Sequence, residues 1–144
     1  MRHSHILLAE DDADDRDLFI EALAALDPLI RISTVEDGEE LLDHLKQSQK
    51  IPDCIFLDLN MPKKNGKECL SEIKRDDRTR HIPVIIYTTS LNARDIDETF
   101  EKGALRFIRK PNSFKELTSV LNKCIRSGIP FPGQRTDRAN FILR

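Results

Sequence analysis

Five residues stand where chemistry would put them, each close to the end of a short, mostly apolar stretch. Ile6-Leu7-Leu8-Ala9 runs into Glu10 and Asp11. Cys54-Ile55-Phe56-Leu57 runs into Asp58, Val84-Ile85-Ile86-Tyr87 into Thr88, and the stretch 104–108 into Arg109 and Lys110. A continuous apolar run of this length reads as a strand buried on both faces, as in a parallel sheet. Parallel strands all deliver their last side chains to one edge, and open α/β sheets bind ligands there. The set that could meet is three carboxylates, one hydroxyl and one ammonium.

Three carboxylates at one edge repel each other. Two charges about 5 Å apart at an effective dielectric near 20 cost roughly 3 kcal/mol. Such a cluster takes up protons or binds a cation. Oxygen-only ligands select a hard ion, and Mg²⁺ suits a few carboxylates that leave its waters free for phosphate. Lys110 offers a compact charge that pairs with Asp58 or with a phosphate. The Thr88 hydroxyl can donate to a phosphate oxygen. Together these meet the needs of phosphoryl transfer to Asp58: a nucleophile, a metal and a lysine to neutralise oxygens, and a hydroxyl to sense the product.

The elements that must hold these residues follow from periodicity. Leu18, Phe19, Ala22, Leu23 and Leu26 recur at helical spacing, with Asp12 as N-cap and Asp27-Pro28 as the stop. Residues 30–35 alternate as a shorter, edge-like strand, and Asp37-Gly38 reads as a turn. Leu41, Leu42 and Leu45 mark a second helix. After Pro62 and a polar loop through Gly66, Cys69, Leu70 and Ile73 mark a third. A fourth spans 93–102 with Ile96, Thr99 and Phe100 inward, and Gly103 fits its C-terminus. Phe114, Leu117, Val120, Leu121, Cys124 and Ile125 mark the last, with Ser113 at its start and Gly128 at its close. The alternation is βαβαβαβαβα, an α/β fold with a parallel sheet and helices on both faces.

Composition sets the limits. At 144 residues the chain reads as one domain, over 1–128, followed by a tail or arm over 129–144. The tail is broken by Pro130, Pro132 and Gly133 and ends in Phe141-Ile142-Leu143. It reads either as a loose terminus or as an arm that packs on a partner or a second copy. A net charge of −2 leaves no basic footprint for nucleic acid or an anionic membrane. Cys54, Cys69 and Cys124 lack metal-like spacing and read as small buried apolar residues in a reduced, intracellular chain. His3, His5, His44 and His81 also lack metal-like spacing. The N-terminal apolar run is too short for a signal peptide or a membrane span.

Four motifs, LLAEDD, FLDLNMP with Gly66 following, VIIYTTS and FIRKP, occur in an order and spacing similar to the receiver domains of two-component response regulators. The resemblance covers about residues 3–127. It implies a flavodoxin-like, doubly wound sheet of five strands in the order 2-1-3-4-5, with five helices in three layers. It implies that Asp58 is phosphorylated from a sensor histidine kinase, and that Glu10, Asp11, Asp58 and the Asn60 carbonyl hold Mg²⁺. Thr88 and Lys110 would contact the phosphoryl group, and Lys110-Pro111 would be a cis peptide. Phe107 occupies the switch-aromatic position without the hydroxyl of the commoner Tyr, and a plain core aromatic is the alternative there. Asn60 and Ser90 occupy positions that tune hydrolysis.

The tail is too short for an output domain, so the resemblance implies a stand-alone, cytoplasmic regulator acting through phosphorylation-dependent contacts with a downstream protein, as monomer or homodimer. Stand-alone receivers similar to this chain include partners of bacterial phytochromes. A phosphorelay intermediate that passes phosphate to a histidine phosphotransfer protein is the alternative. A third reading is a small-molecule Mg²⁺-dependent phosphatase. The haloacid-dehalogenase form of that chemistry wants an acid two residues after the nucleophile, where this chain has Asn60. The expectation is therefore a phosphoacceptor and not a turnover enzyme.

Overall fold

The computed structural model describes residues 5–126 and 136–143. Five strands, β1 (His5–Ala9), β2 (Arg31–Val35), β3 (Cys54–Leu57), β4 (Val84–Thr88) and β5 (Arg106–Arg109), alternate with five helices. The helices are α1 (Ala13–Leu26), α2 (Gly38–Gln47), α3 (Gly66–Arg75), α4 (Ala93–Glu101) and α5 (Phe114–Arg126). The sheet order is β2-β1-β3-β4-β5 and every pairing is parallel, the expected flavodoxin-like arrangement. Every residue of β3 and β4 is buried, as their unbroken apolar runs require. β2 lies at the edge and is mostly half-exposed.

Alternate side chains of each strand enter separate cores. On one face Leu7, Ile55, Leu57, Val84, Ile86 and Phe107 pack with Leu41 and Leu45 of α2, Cys69, Leu70 and Ile73 of α3, and Ile96 of α4. On the other, Ile6, Leu8, Phe56, Ile85, Tyr87 and Ile108 pack with Phe19, Ala22 and Leu23 of α1 and Leu117, Leu121 and Cys124 of α5. This is the three-layer form that a strand period of two demands when both faces are covered. All three cysteines are buried thiols outside any disulfide, and burial pushes them up.

Several local expectations change. Asp37-Gly38 is a helix start and not a turn: the Asp37 side chain accepts from the Glu40 amide at 2.8 Å, and Gly38 is the first residue of α2. A side chain at Gly38 would overlap the Lys64 carbonyl, which accounts for glycine. Leu18 is 43% exposed, because α1 turns only Phe19, Ala22 and Leu23 fully inward. Phe114, at the first position of α5, is likewise exposed. β5 starts at Arg106 and not at 104, since the Ala104 amide is spent on the Thr99 carbonyl of α4.

The largest change is at the C-terminus. Gly128, residues 129–135 and Arg144 lie outside the described residues, but 136–143 pack on the chain's own β5. A single 3₁₀ turn, Arg138–Asn140, is capped by the Asp137 side chain and leads into Phe141, which is fully buried. The Phe107 amide donates to the Phe141 carbonyl, and the Leu143 amide donates to the Phe107 carbonyl, both at 2.9 Å. Ile142 pairs with Phe107 in parallel register. The Phe141 ring lies 5.2 Å from that of Phe100 and 6.1 Å from that of Phe107, and Arg138 bonds Asp97 of α4 at 2.9 Å. The segment covers part of an otherwise open sheet edge. Phe141→Ala is expected to lower the unfolding free energy by about 3 kcal/mol, the usual cost of a fully buried Phe. A urea midpoint equal to wild type would count against this packing in solution.

Candidate functional site

Register and side-chain alternation decide who meets whom. Ala9 pairs with Leu57, Leu57 with Ile86, and Thr88 with Arg109, so the strand ends lie side by side at one edge. The Asp58 amide continues the ladder to the Ala9 carbonyl at 3.1 Å, and the Lys110 amide to the Thr88 carbonyl at 2.7 Å. Counting in twos from Leu8, Phe56 and Ile108 puts Glu10, Asp58 and Lys110 on the α1/α5 face. Counting in twos from Ile86 puts Thr88 on the opposite face, with Phe107.

The structure brings the expected ionic residues together. Lys110 Nζ lies 2.6 Å from Glu10 Oε1 and 3.1 Å from Asp58 Oδ2. Glu10 is fully buried and Asp58 nearly so. Glu10, Asp11 and Asp58 each offer a carboxylate oxygen within 4.8 Å of the others, while Asp11 is exposed. Oxygen-only donors fit a hard divalent cation. Glu10 Oε1 is held to Lys110 by charge, but among the described residues its alignment with any donor falls outside hydrogen-bond geometry. Burial raises the Glu10 carboxyl to about 7, with the close Lys110 ammonium opposing the rise and the Asp58 charge adding to it. Burial alone would lower Lys110; its contacts with Glu10 and Asp15 and the Asp58 charge outweigh that and raise it.

The loop after β3 is folded tightly onto the acid. The Asn60 amide donates to Asp58 Oδ1 at 3.2 Å, and the Gly66 amide to the Leu59 carbonyl at 3.0 Å. A side chain at Gly66 would overlap the Asp58 carbonyl, so glycine is required there. Asn65 then caps α3 reciprocally with Glu68. Asp12 caps α1 as expected, accepting from the Asp15 amide at 3.0 Å. Its own amide donates to Glu10 Oε2 at 3.2 Å.

One backbone feature of the site departs from expectation. The described residues contain no cis peptide bond, so Lys110-Pro111 is trans. Lys110 reaches both acids from that backbone, and trans is the ordinary preference of an X–Pro bond. Ser90 is engaged elsewhere: its hydroxyl donates to Asp95 Oδ2 at 2.9 Å and accepts from the Asn92 amide at 3.1 Å. Asp95 is bound by Lys67 at 2.6 Å, which also holds Glu98 at 2.8 Å, so the loop is tied to α3 and α4.

Thr88 is fully buried, and its hydroxyl has no hydrogen-bond partner among the described residues. Leaving a buried hydroxyl unpaired costs about 1–3 kcal/mol. Phe107 is fully buried on the same face, against Phe141.

Sequence reasoning missed two residues here. Asp15 binds Lys110 Nζ at 2.9 Å. Its only signal was its place three residues after the cap, in the first turn of α1. The Tyr87 ring lies 5.7 Å from the same ammonium, within cation–π range.

A family described as the response regulator receiver domain matches residues 6–122. The chain belongs to this family. FilR2 of Methanothrix harundinacea, a probable methanogenesis regulatory protein, is 36% identical over 122 residues, covering 82% of this chain and 79% of that one. The response regulator Rcp1 of Synechocystis is 34% identical over 121 residues, covering 81% and 82%. The phosphorylated cyanobacterial phytochrome response regulator RcpA superposes with a TM-score of 0.79 at 36% identity, over 85% of this chain and 91% of that one. Rcp1 in its Mn²⁺-bound form superposes with a TM-score of 0.80 at 31% identity, over 90% and 99%. The acidic cluster of this receiver fits the divalent-metal site that the Mn²⁺-bound relative represents. No helix among the described residues is long and apolar enough to cross a membrane.

The Glu10 shift has a definite sign. The folded receiver holds this proton more tightly than the unfolded chain does. Its metal-free stability should therefore fall as pH rises from the ordinary 4.5 to about 7. A cation binding to these oxygens must displace the proton, so Mn²⁺ affinity should rise from about pH 6 to 8 with release of up to one proton. Calorimetry in buffers of different ionisation enthalpy measures that release, and Glu10→Gln should remove it.

Proposed function

We propose that Asp58 accepts a phosphoryl group from a sensor histidine kinase, and that the receiver then signals through phosphorylation-dependent contacts with another protein. The observation that carries this reading is the ring of groups around Asp58. A lysine lies on one side, two further carboxylates suit a cation, and a buried hydroxyl without a partner stands at the adjacent strand end. A carboxylate alone would need none of them.

In the transfer, an Asp58 carboxylate oxygen forms a bond to phosphorus. The bond from phosphorus to the donor nitrogen breaks, and its electron pair leaves with the imidazole. The Asn60 amide and Lys110 hold the two Asp58 oxygens beforehand. Asp58 Oδ2 gives up its charge on becoming an acyl phosphate, so Lys110 is released to a phosphoryl oxygen. Thr88 supplies its unused hydroxyl to another. Glu10, Asp11, Asp58 and the Asn60 carbonyl would hold Mg²⁺, which would supply positive charge to the phosphoryl oxygens.

A shift of Thr88 toward the phosphoryl group would alter the packing on the face that holds Phe107, α4 and the C-terminal segment. Such a shift biases a two-state equilibrium. The relative named for phytochrome signalling supports a photoreceptor kinase as donor. Acetyl phosphate with Mg²⁺ should place acid-labile phosphate on the wild-type protein and none on Asp58→Asn. Undiminished incorporation in the variant would refute Asp58.

A further inference from the structure

Lys110 has three partners and three protons. Its ammonium lies 2.6 Å from Glu10, 2.9 Å from Asp15 and 3.1 Å from Asp58. Of its three N–H groups, two have hydrogen-bond acceptors in Asp15 and Asp58, while Glu10 is held by charge. Glu10 and Asp58 come from strand ends and are buried, and the Lys110 side chain is 9% exposed. Asp15 is of another kind. It reaches in from the first turn of α1, its side chain is 35% exposed, and its backbone is fixed by the Asp12 cap.

The three contacts differ in what phosphorylation does to them. On the reading of Asp58 as phosphoacceptor, the Asp58 contact is dissolved by the reaction itself, because that oxygen becomes part of an acyl phosphate. Glu10 belongs to the metal pocket. The Asp15 contact is the one that neither the acyl phosphate nor the metal pocket takes up. An incoming phosphoryl group brings several anionic oxygens to the same ammonium and so meets a fixed competitor of like charge.

We propose that Asp15 is a positioning residue for phosphoryl capture: it draws Lys110 toward α1, competes with the phosphoryl group for that ammonium, and thereby restrains phosphorylation of Asp58. This rests on the phosphoacceptor reading and adds to it a residue that regulates the reaction through Lys110.

The test compares initial rates of phosphorylation of the full chain by acetyl phosphate with Mg²⁺. Asp15→Asn should be phosphorylated roughly fivefold faster than wild type, the size expected of one partly solvated charge contact. It should also bind beryllofluoride, a stable phosphoryl mimic, correspondingly tighter. Asp15→Glu, which keeps the charge, should stay near wild type. Asp14→Asn removes a neighbouring exposed charge of the same turn and should change little, which separates contact with Lys110 from the general field. Asp15→Asn at or below the wild-type rate, or an equal acceleration by Asp14→Asn, would overturn the proposal. A wild-type protein that takes no phosphate at all would instead overturn the reading of Asp58.

Discussion

A single ammonium makes the carboxyl edge of this sheet tolerable. Burying Glu10 and Asp58 side by side, with Asp11 close by, is unfavourable by desolvation and by mutual repulsion. Lys110 offsets both, and it can do so only because β5 ends next to β4 and its side chain falls on the α1/α5 face. Strand order and side-chain alternation are therefore conditions of the electrostatics and not a backdrop to them. Move Lys110 by one residue along β5 and its charge would point to the opposite face, leaving the acids uncompensated.

The same alternation divides labour across the sheet. Glu10, Asp58 and Lys110 gather on one side, while Thr88 and Phe107 stand on the other with α4 and the C-terminal segment. On the proposed reading the chemistry happens on one surface of the sheet and is read on the other, one peptide thickness away. On that reading Thr88 is the link, because it ends β4, the strand beside the one that carries Asp58. The Lys67–Asp95–Ser90 chain stiffens the connection beside it, fixing the first turn of α4 to α3.

How much of this was legible beforehand follows from the physics of each signal. Strands buried on both faces leave unbroken apolar runs, and a charged residue ending such a run is conspicuous; Glu10 and Asp58 could be read that way, and Lys110 from its place before Pro111 at the end of a more mixed strand. Helix starts were legible where a capping side chain declares them, as at Asp12. The contact from Asp15 was not, because five acids in the stretch 10–15 look alike until α1 fixes which one turns inward. Leu18 was misread because apolar spacing does not reveal how wide the buried stripe is. The trans bond before Pro111 contradicts an expectation that came from resemblance and not from these residues. Phe141 was recognised as apolar, but nothing local said whether its partner lay in this chain or another; that depended on Phe100 and Phe107, far away in sequence.

Phe141 also alters where the folding unit stops. The family match closes at residue 122, inside α5, yet the aromatic core of the α4–β5 side is completed by a side chain nineteen positions later. A fragment trimmed to the family boundary would strip a ring from Phe107 and reopen two backbone groups of β5. Removing the C-terminal segment would thus disturb the face whose packing the proposed Thr88 shift would alter, while leaving the acidic pocket whole.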